Sequence, residues 1–270
     1  MKLTWEQVAQ RDPRTRPLVM GHRGSPDERA ENTLGSFALA LEQGADVLET
    51  DLRFTRDNVI VLMHDETVAR TTDGSGEVAG MTLAELKQLH AHRAPMFAKD
   101  GDRDKNEGKA GQAQPGDGEP PPTLEELLQM TRGEVPLALE LKDDRFLNPR
   151  DAGQLIELLS SYNAIESSVL VSFSLARMQT FRPLAPGLRI GLITLSNPFP
   201  LPPTEFLGPY YPLLYANPLY VAWARRLGRI VCPLDIAPEP RLGYYRRLGL
   251  MVVMTNHPGE TVQALQRLYR

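Results

Sequence analysis

Gly21-His22-Arg23-Gly24, Glu49-Thr50-Asp51 and Val61-Leu62-Met63-His64-Asp65 place two histidines, an arginine and spaced carboxylates in a short part of the chain. Glu140-Leu141-Lys142 adds a third carboxylate and a lysine further on. Histidine titrates near neutral pH, so His22 and His64 can act as general base and general acid in one reaction. Glu49, Asp51 and Glu140 cannot all stay ionised at close range without a counter-charge, and a divalent cation is the simplest one. All-oxygen ligation favours a hard ion, Mg²⁺ or Ca²⁺, over Zn²⁺. Arg23 and Lys142 beside such a cation suit an anionic phosphoryl group, the arrangement used for phosphate-ester cleavage. Each feature also has an ordinary reading: E-x-D as an ion-paired strand edge, a lone histidine as a satisfied core group, Arg23 as the partner of Glu31 or Glu49. Their company in one place argues for a site. His90, His92 and His257 lack it; His90 and His92 read as surface residues, and His257, after the last strand, is positioned to face the site.

The elements that must hold these residues follow from periodicity. Leu18–His22 and Ala45–Leu52 are short, apolar, β-rich runs that read as buried strands, with the polar residues at their ends. Side chains alternate along a strand, so Glu49 and Asp51 share one side, as do Glu140 and Lys142. Between the first two strands, Leu34, Phe37, Ala38 and Leu41 have helical spacing, with Asn32 or Thr33 able to cap and Gly44 to terminate. Val59–His64 reads as a hairpin extension of the second strand. Thr82 and Thr123 each open a capping box. Further strands are expected at Val135–Leu141, Ser168–Phe173, Leu188–Thr194, Leu213–Ala216, Arg229–Leu234 and Leu250–Thr255, alternating with helices. Eight such units predict an α/β fold of the (β/α)8 TIM-barrel type, in one domain over residues 1–270. Residues 1–16 read as a surface lead-in with a short helix, and 98–121 as an exposed polar loop.

The chain's 270 residues carry a formal net charge of −4, which offers no basic footprint for nucleic acid. Its single cysteine, Cys232, rules out an internal disulfide and suits a reducing compartment. With no apolar leader or membrane-spanning run, a cytoplasmic location is expected. Residues 197–215, rich in proline and aromatics, follow the fifth strand on the face where barrels build their sites. They are a candidate apolar wall or lid for a lipid-like alcohol, and a candidate membrane contact, against the plain alternative of packing over the barrel.

The ordered set His22-Arg23-Gly24, Glu31-Asn32-Thr33, Gly44-Ala45-Asp46, Glu49-Thr50-Asp51, His64-Asp65, Arg70-Thr71-Thr72, Pro122 to Glu126, Glu140-Leu141-Lys142, Ser172-Phe173 and Thr255 to Pro258 resembles the glycerophosphodiester phosphodiesterases. The resemblance covers about residues 18–260. It implies a TIM barrel with a small insertion after the second strand, at about 66–122, and a divalent ion on Glu49, Asp51 and Glu140. It makes His22 and His64 the acid–base pair, with Arg23 and Lys142 near the phosphate. The implied substrate is a glycerophosphodiester, hydrolysed to glycerol 3-phosphate and an alcohol, either by water directly or through a cyclic phosphate formed by the adjacent glycerol hydroxyl. A lysophospholipase-D-like activity and a catalytically silent phosphate-binding barrel are the rivals. Three departures bear on substrate identity: Pro233-Leu234 stands about where the family has Trp-Thr, Asn256 replaces an aspartate in the final Thr-Asp-x-Pro, and 98–121 is unusually polar.

Overall fold

The computed structural model describes residues 3–95, 118–201 and 203–270; most of the polar stretch 98–121 lies outside them. Eight parallel strands follow one another around a barrel. They are β1 (Leu18–His22), β2 (Val47–Phe54), β4 (Leu137–Leu141), β5 (Ser168–Ser172), β6 (Arg189–Thr194), β7 (Phe206–Pro209), β8 (Ile230–Val231) and β9 (Val252–Thr255). A short β3 (Ile60–Leu62) folds back antiparallel on β2, the expected hairpin extension. Ladders join each neighbour from β9 through β1 to β8. At the remaining seam the Asn256 N–H donates to Ile236 O (2.8 Å), so the barrel is nearly closed there without a ladder.

The strand alternation divides the apolar residues into two layers. Leu18, Met20, Val47, Ala138, Val169, Val171, Ile193, Phe206, Ile230, Val252 and Met254 fill the lumen, while the intervening residues pack outward under the helices. The helix Leu34–Glu42 illustrates the local logic. Thr33 Oγ1 accepts from Ser36 N, and the helix stops before Gly44, whose φ of 92° suits a residue without Cβ. Thr33, rather than Asn32, is the cap; Asn32 is free to serve the site. Both anticipated capping boxes, at Thr82 and Thr123, are present.

Two expectations are corrected. The sixth strand is Phe206–Pro209, and Leu213–Ala216 falls in a short helix, Pro212–Ala216, begun by a proline at its first turn. The apolar run Leu213-Leu214 mimics a strand, but only Leu214 is fully buried, as a helix face requires. The stretch 197–215 is therefore not one loop. The other correction is at the N-terminus. The capped helix Trp5–Ala9 is no surface lead-in: Trp5 and Val8 are fully buried. Trp5 packs edge-on against Phe206, with centroids 5.5 Å apart, and its Nε1 donates to Leu137 O. It closes the floor of the barrel, opposite the strand ends that carry the polar residues.

Immediately after β1 the chain turns through Arg23 (φ 56°) and Gly24 (φ 91°), which aims the Arg23 side chain back over the mouth. A Cβ on Gly24 would approach Ser36 O to 2.7 Å. Gly24→Ala is expected to cost about 1–3 kcal/mol through backbone strain, before any effect of the contact with Ser36. Urea unfolding followed by circular dichroism measures it; an unchanged midpoint and slope would contradict the strained turn.

Candidate active site

Glu49 and Asp51 are brought to Glu140 by register. In the parallel ladders His22 lies beside Glu49, and Asp51 beside Glu140. One carboxylate oxygen from each of Glu49, Asp51 and Glu140 lies within 4.8 Å of the others, and all three residues are buried. Asp51 Oδ2 takes a hydrogen bond from Asn32 Nδ2 (2.9 Å) and sits 3.0 Å from Arg23 Nε. Asp51 Oδ1 is buried and, among the described residues, receives no hydrogen bond, with Lys142 Nζ 3.4 Å away. An acceptor left open at the centre of an oxygen-only cluster fits a hard divalent cation.

The cationic side chains are engaged from the outset. Arg23 donates through Nη1 to Glu31 Oε1 (2.8 Å), and its backbone N–H donates to Glu49 O (3.0 Å). Its ion-pair partners are Glu31 and Asp51, while Glu49 is held through the Arg23 main chain. Lys142 Nζ lies 2.7 Å from Glu140. Arg70 forks onto both oxygens of Glu31 and also reaches Asp65. Arg70 and Asp65 were legible in the motifs but carried no assigned role; Glu31 was read as an ion-pair partner of Arg23, which it is, and Asn32 only as a candidate helix cap. The signal was there in part: Asn32 adopts a φ of 57°, a conformation favoured by asparagine, and its Oδ1 accepts from Thr50.

Five carboxylates, Glu31, Glu49, Asp51, Asp65 and Glu140, thus face three permanent cations, Arg23, Arg70 and Lys142. The imbalance appears in their proton affinities. Burial, then the Asp51 charge, pushes Glu49 well above the usual carboxylate range. Burial raises Glu140 too, with Lys142 offsetting it only in part. Burial also opposes ionisation of Asp51, but Arg23 and then Lys142 outweigh it and hold Asp51 below its ordinary value. The site therefore favours a proton on Glu49 wherever no other cation is present.

His22 and His64 interact electrostatically with Asp51 from β1 and from the β3 side. His22 Nδ1 is 2.8 Å from Asn256 Oδ1, and Nε2 is 3.9 Å from Glu49 Oε2. Burial, then Arg23, pushes its proton affinity down to about 3, so the ring is neutral at pH 7. His64 Nδ1 meets Asp65 Oδ1, and Arg53 donates twice to the His64 carbonyl. His257 is paired with Asp27. His90 pairs with Asp73 and His92 with backbone carbonyls, away from the cluster.

The remaining strand ends differ in character. Phe173, Leu195 and Tyr210 continue the inward alternation of β5, β6 and β7, and each is substantially exposed. Lys142 Nζ lies 5.9 Å over the Phe173 ring, which joins this apolar side to the charged one. Tyr210 pairs by a bridge with Leu234, beside the Pro233-Leu234 position.

Residues 22–203 match the model of the glycerophosphoryl diester phosphodiesterase family. A glycerophosphodiester phosphodiesterase of Caldanaerobacter subterraneus subsp. tengcongensis is 35% identical over 179 residues, covering 65% of this chain and 66% of that protein. The alignment thus falls just short of two thirds of that relative's length. A structure of a candidate glycerophosphoryl diester phosphodiesterase from Silicibacter pomeroyi is similar with a TM-score of 0.82, at 25% identity over 99% of both chains. An Oleispira antarctica phosphodiesterase in complex with the product sn-glycerol-3-phosphate superposes with a TM-score of 0.73, at 25% identity over 93% of this chain and 97% of that one.

The proton affinity of Glu49 predicts the pH dependence of cation binding. Its folded-state value is raised, so the neutral carboxyl is favoured below that value and ionisation destabilises the cation-free protein as pH rises through it. A cation replaces the proton. The gain in melting temperature on adding Mg²⁺ or Ca²⁺ is therefore expected to grow as pH rises above the usual carboxylate range. It should shrink in Glu49→Gln. Differential scanning calorimetry at several pH values tests this; a gain independent of pH and of that substitution would contradict it.

Proposed function

Since the chain belongs to the glycerophosphoryl diester phosphodiesterase family, we propose that it hydrolyses glycerophosphodiesters to glycerol 3-phosphate and an alcohol, with a divalent cation held by Glu49, Asp51 and Glu140. The observation that carries this reading is the buried three-carboxylate cluster with one open acceptor, Asp51 Oδ1, between two histidines. When bound, the cation offsets negative charge on the phosphoryl oxygens and polarises phosphorus towards attack.

The chain's own residues supply orientation and proton transfer. Lys142 and the outer edge of the Arg23 guanidinium bind non-bridging oxygens of the phosphodiester. Glu31, backed by Arg70, keeps that guanidinium from swinging away. Asn256 accepts the Nδ1–H of His22, which leaves the Nε2 lone pair to take a proton from the attacking hydroxyl. Asp65 accepts the Nδ1–H of His64, so Nε2 is the atom that protonates the departing alkoxide. The attacking hydroxyl is that of water or of the adjacent glycerol carbon; the same two histidines serve both routes. The product that the Oleispira antarctica structure holds, sn-glycerol-3-phosphate, is the one this reaction releases.

A second reading has its own support. Exposed Phe173, Leu195 and Tyr210 form an apolar side to the mouth, which suits a lysolipid better than a small polar alcohol. Turnover of a lysophospholipid at a rate comparable with glycerophosphocholine would favour it.

Release of glycerol 3-phosphate from glycerophosphocholine by the purified protein, with and without EDTA, tests the main reading. Chelation should abolish it, and His22→Ala or His64→Ala should lower kcat/KM by about 10²-fold or more. Retained activity in either variant would contradict the proton-transfer roles. Asn256→Asp should place a negative charge on His22 Nδ1 and favour the protonated ring. The base is then lost at higher pH than in the parent, so the acidic limb of the kcat/KM profile should move upward. An unmoved limb would separate Asn256 from the base.

A further inference from the structure

Among the described residues between β6 and β7 there is no outer helix of the kind that joins the other late strands. Residues 195–201 and 203–205 form a strap of irregular backbone there instead, and the helices Pro212–Ala216 and Tyr220–Arg226 follow β7. The helix Tyr220–Arg226 buries Tyr220, Val221 and Ala224 against the barrel. Along one flank of that buried face Leu219, Trp223 and Leu227 follow one another at four-residue spacing, with exposures of 71, 38 and 47%. Phe199 of the strap lies edge-on to Trp223, with centroids 6.3 Å apart, and is itself exposed. Asn217 Nδ2 donates to Pro198 O (2.8 Å), and Arg229 donates to Pro200 O, so helix and strap form one surface. Leu195 and Leu201, also exposed, extend it, and Leu195 stands at the barrel mouth.

The charge beside this apolar face is one-sided. Arg225 and Arg226 are exposed, Arg229 is half-buried, and Arg226 falls on the apolar stripe, three residues from Trp223. No acidic residue occurs between Glu205 and Asp235, in a chain whose net charge is −4. Glu205 is itself paired with Arg182, and Asp235 with Arg241. A second copy of the chain packed on this face about a twofold axis would set arginines against arginines. An acyl and headgroup layer would meet both components at once. Leucines, phenylalanine and an exposed tryptophan partition into the interface, and arginines pair with anionic headgroups.

We propose that the surface formed by the strap and the helix Tyr220–Arg226 docks the protein on an anionic lipid bilayer. The mouth edge at Leu195 is then turned towards that bilayer. Docking brings the site to lipid-derived phosphodiesters without carrying them through water; this last consequence rests on the proposed activity, whereas the docking itself does not.

The protein has two tryptophans, and Trp5 is fully buried in the barrel floor, so a change in emission on docking reports Trp223. The full chain is mixed with vesicles of phosphatidylcholine alone and of phosphatidylcholine with phosphatidylglycerol. Expected are a blue shift and co-sedimentation with the anionic vesicles, weaker binding to the neutral ones, and loss at high salt. Arg226→Glu should weaken anionic-vesicle binding about tenfold or more. The double variant Leu219→Asp, Leu227→Asp, at exposed positions that leave folding intact, should abolish it. Hydrolysis of water-soluble glycerophosphocholine should be the same in all variants. Absence of binding, or equal binding by the double variant, would overturn the proposal. So would a dimer in solution that Leu219→Asp dissociates, since a second copy would then cover the face. Vesicle binding by a protein with no phosphodiesterase activity would leave the docking surface standing and remove only the catalytic reading.

Discussion

The structure turns on an electrostatic conflict placed where eight strands converge. Register in a parallel sheet puts Asp51 beside Glu140 and His22 beside Glu49, so three carboxylates crowd one buried spot. Buried like charges raise one another's proton affinity and cost stability unless counter-charges are built in. Arg23, Lys142 and, through Glu31, Arg70 supply part of that balance. The rest is left open, and the open part fits a divalent ion. Much of the surrounding architecture serves the balance. The left-handed turn at Arg23 and Gly24 returns the guanidinium to Asp51 Oδ2, and the Thr33 cap frees Asn32 to donate to the same oxygen, which leaves Oδ1 open.

The barrel mouth is divided. Strand ends β9, β1, β2 and β4 present a carboxamide, imidazole, carboxylates and cations; β5, β6 and β7 present Phe173, Leu195 and Tyr210. A phosphodiester has the same division, an anionic centre and a carbon-rich alcohol, so the two halves suit the two ends of such a substrate. Asn256 shows how a departure from the family pattern can be absorbed. A carboxamide accepts from His22 Nδ1 as a carboxylate would, yet adds no negative charge to a site already rich in it. The ring stays neutral, which suits the proposed proton acceptor.

The fold was mostly legible. Short β-branched runs, capping boxes and the alternation of strand and helix were enough for a (β/α)8 barrel, and the paired spacings Glu49/Asp51 and Glu140/Lys142 were enough to place the candidate ligands on inward faces. The failures have physical causes. Leu213-Leu214 is apolar enough for a strand, but the proline before it favours a helical first turn, and the pairing edge of β6 was taken by Phe206–Pro209. The N-terminal helix looked like a surface segment because its apolar residues are few; two of them, Trp5 and Val8, suffice to close a barrel floor. Local pattern does not say what a short helix packs against.

Sequence alone determined which groups this protein has for chemistry and on which face of which strand each stands, because strand alternation is a property of the local backbone. Tertiary structure decided which of those groups meet. Cross-strand register set Asp51 against Glu140, the ladder between β9 and β1 brought Asn256 to His22, and a chain reversal far from β1 delivered Arg70 to Glu31. Such contacts join residues 39 to 234 positions apart. They depend on how the whole sheet curls shut, which no short window of residues encodes.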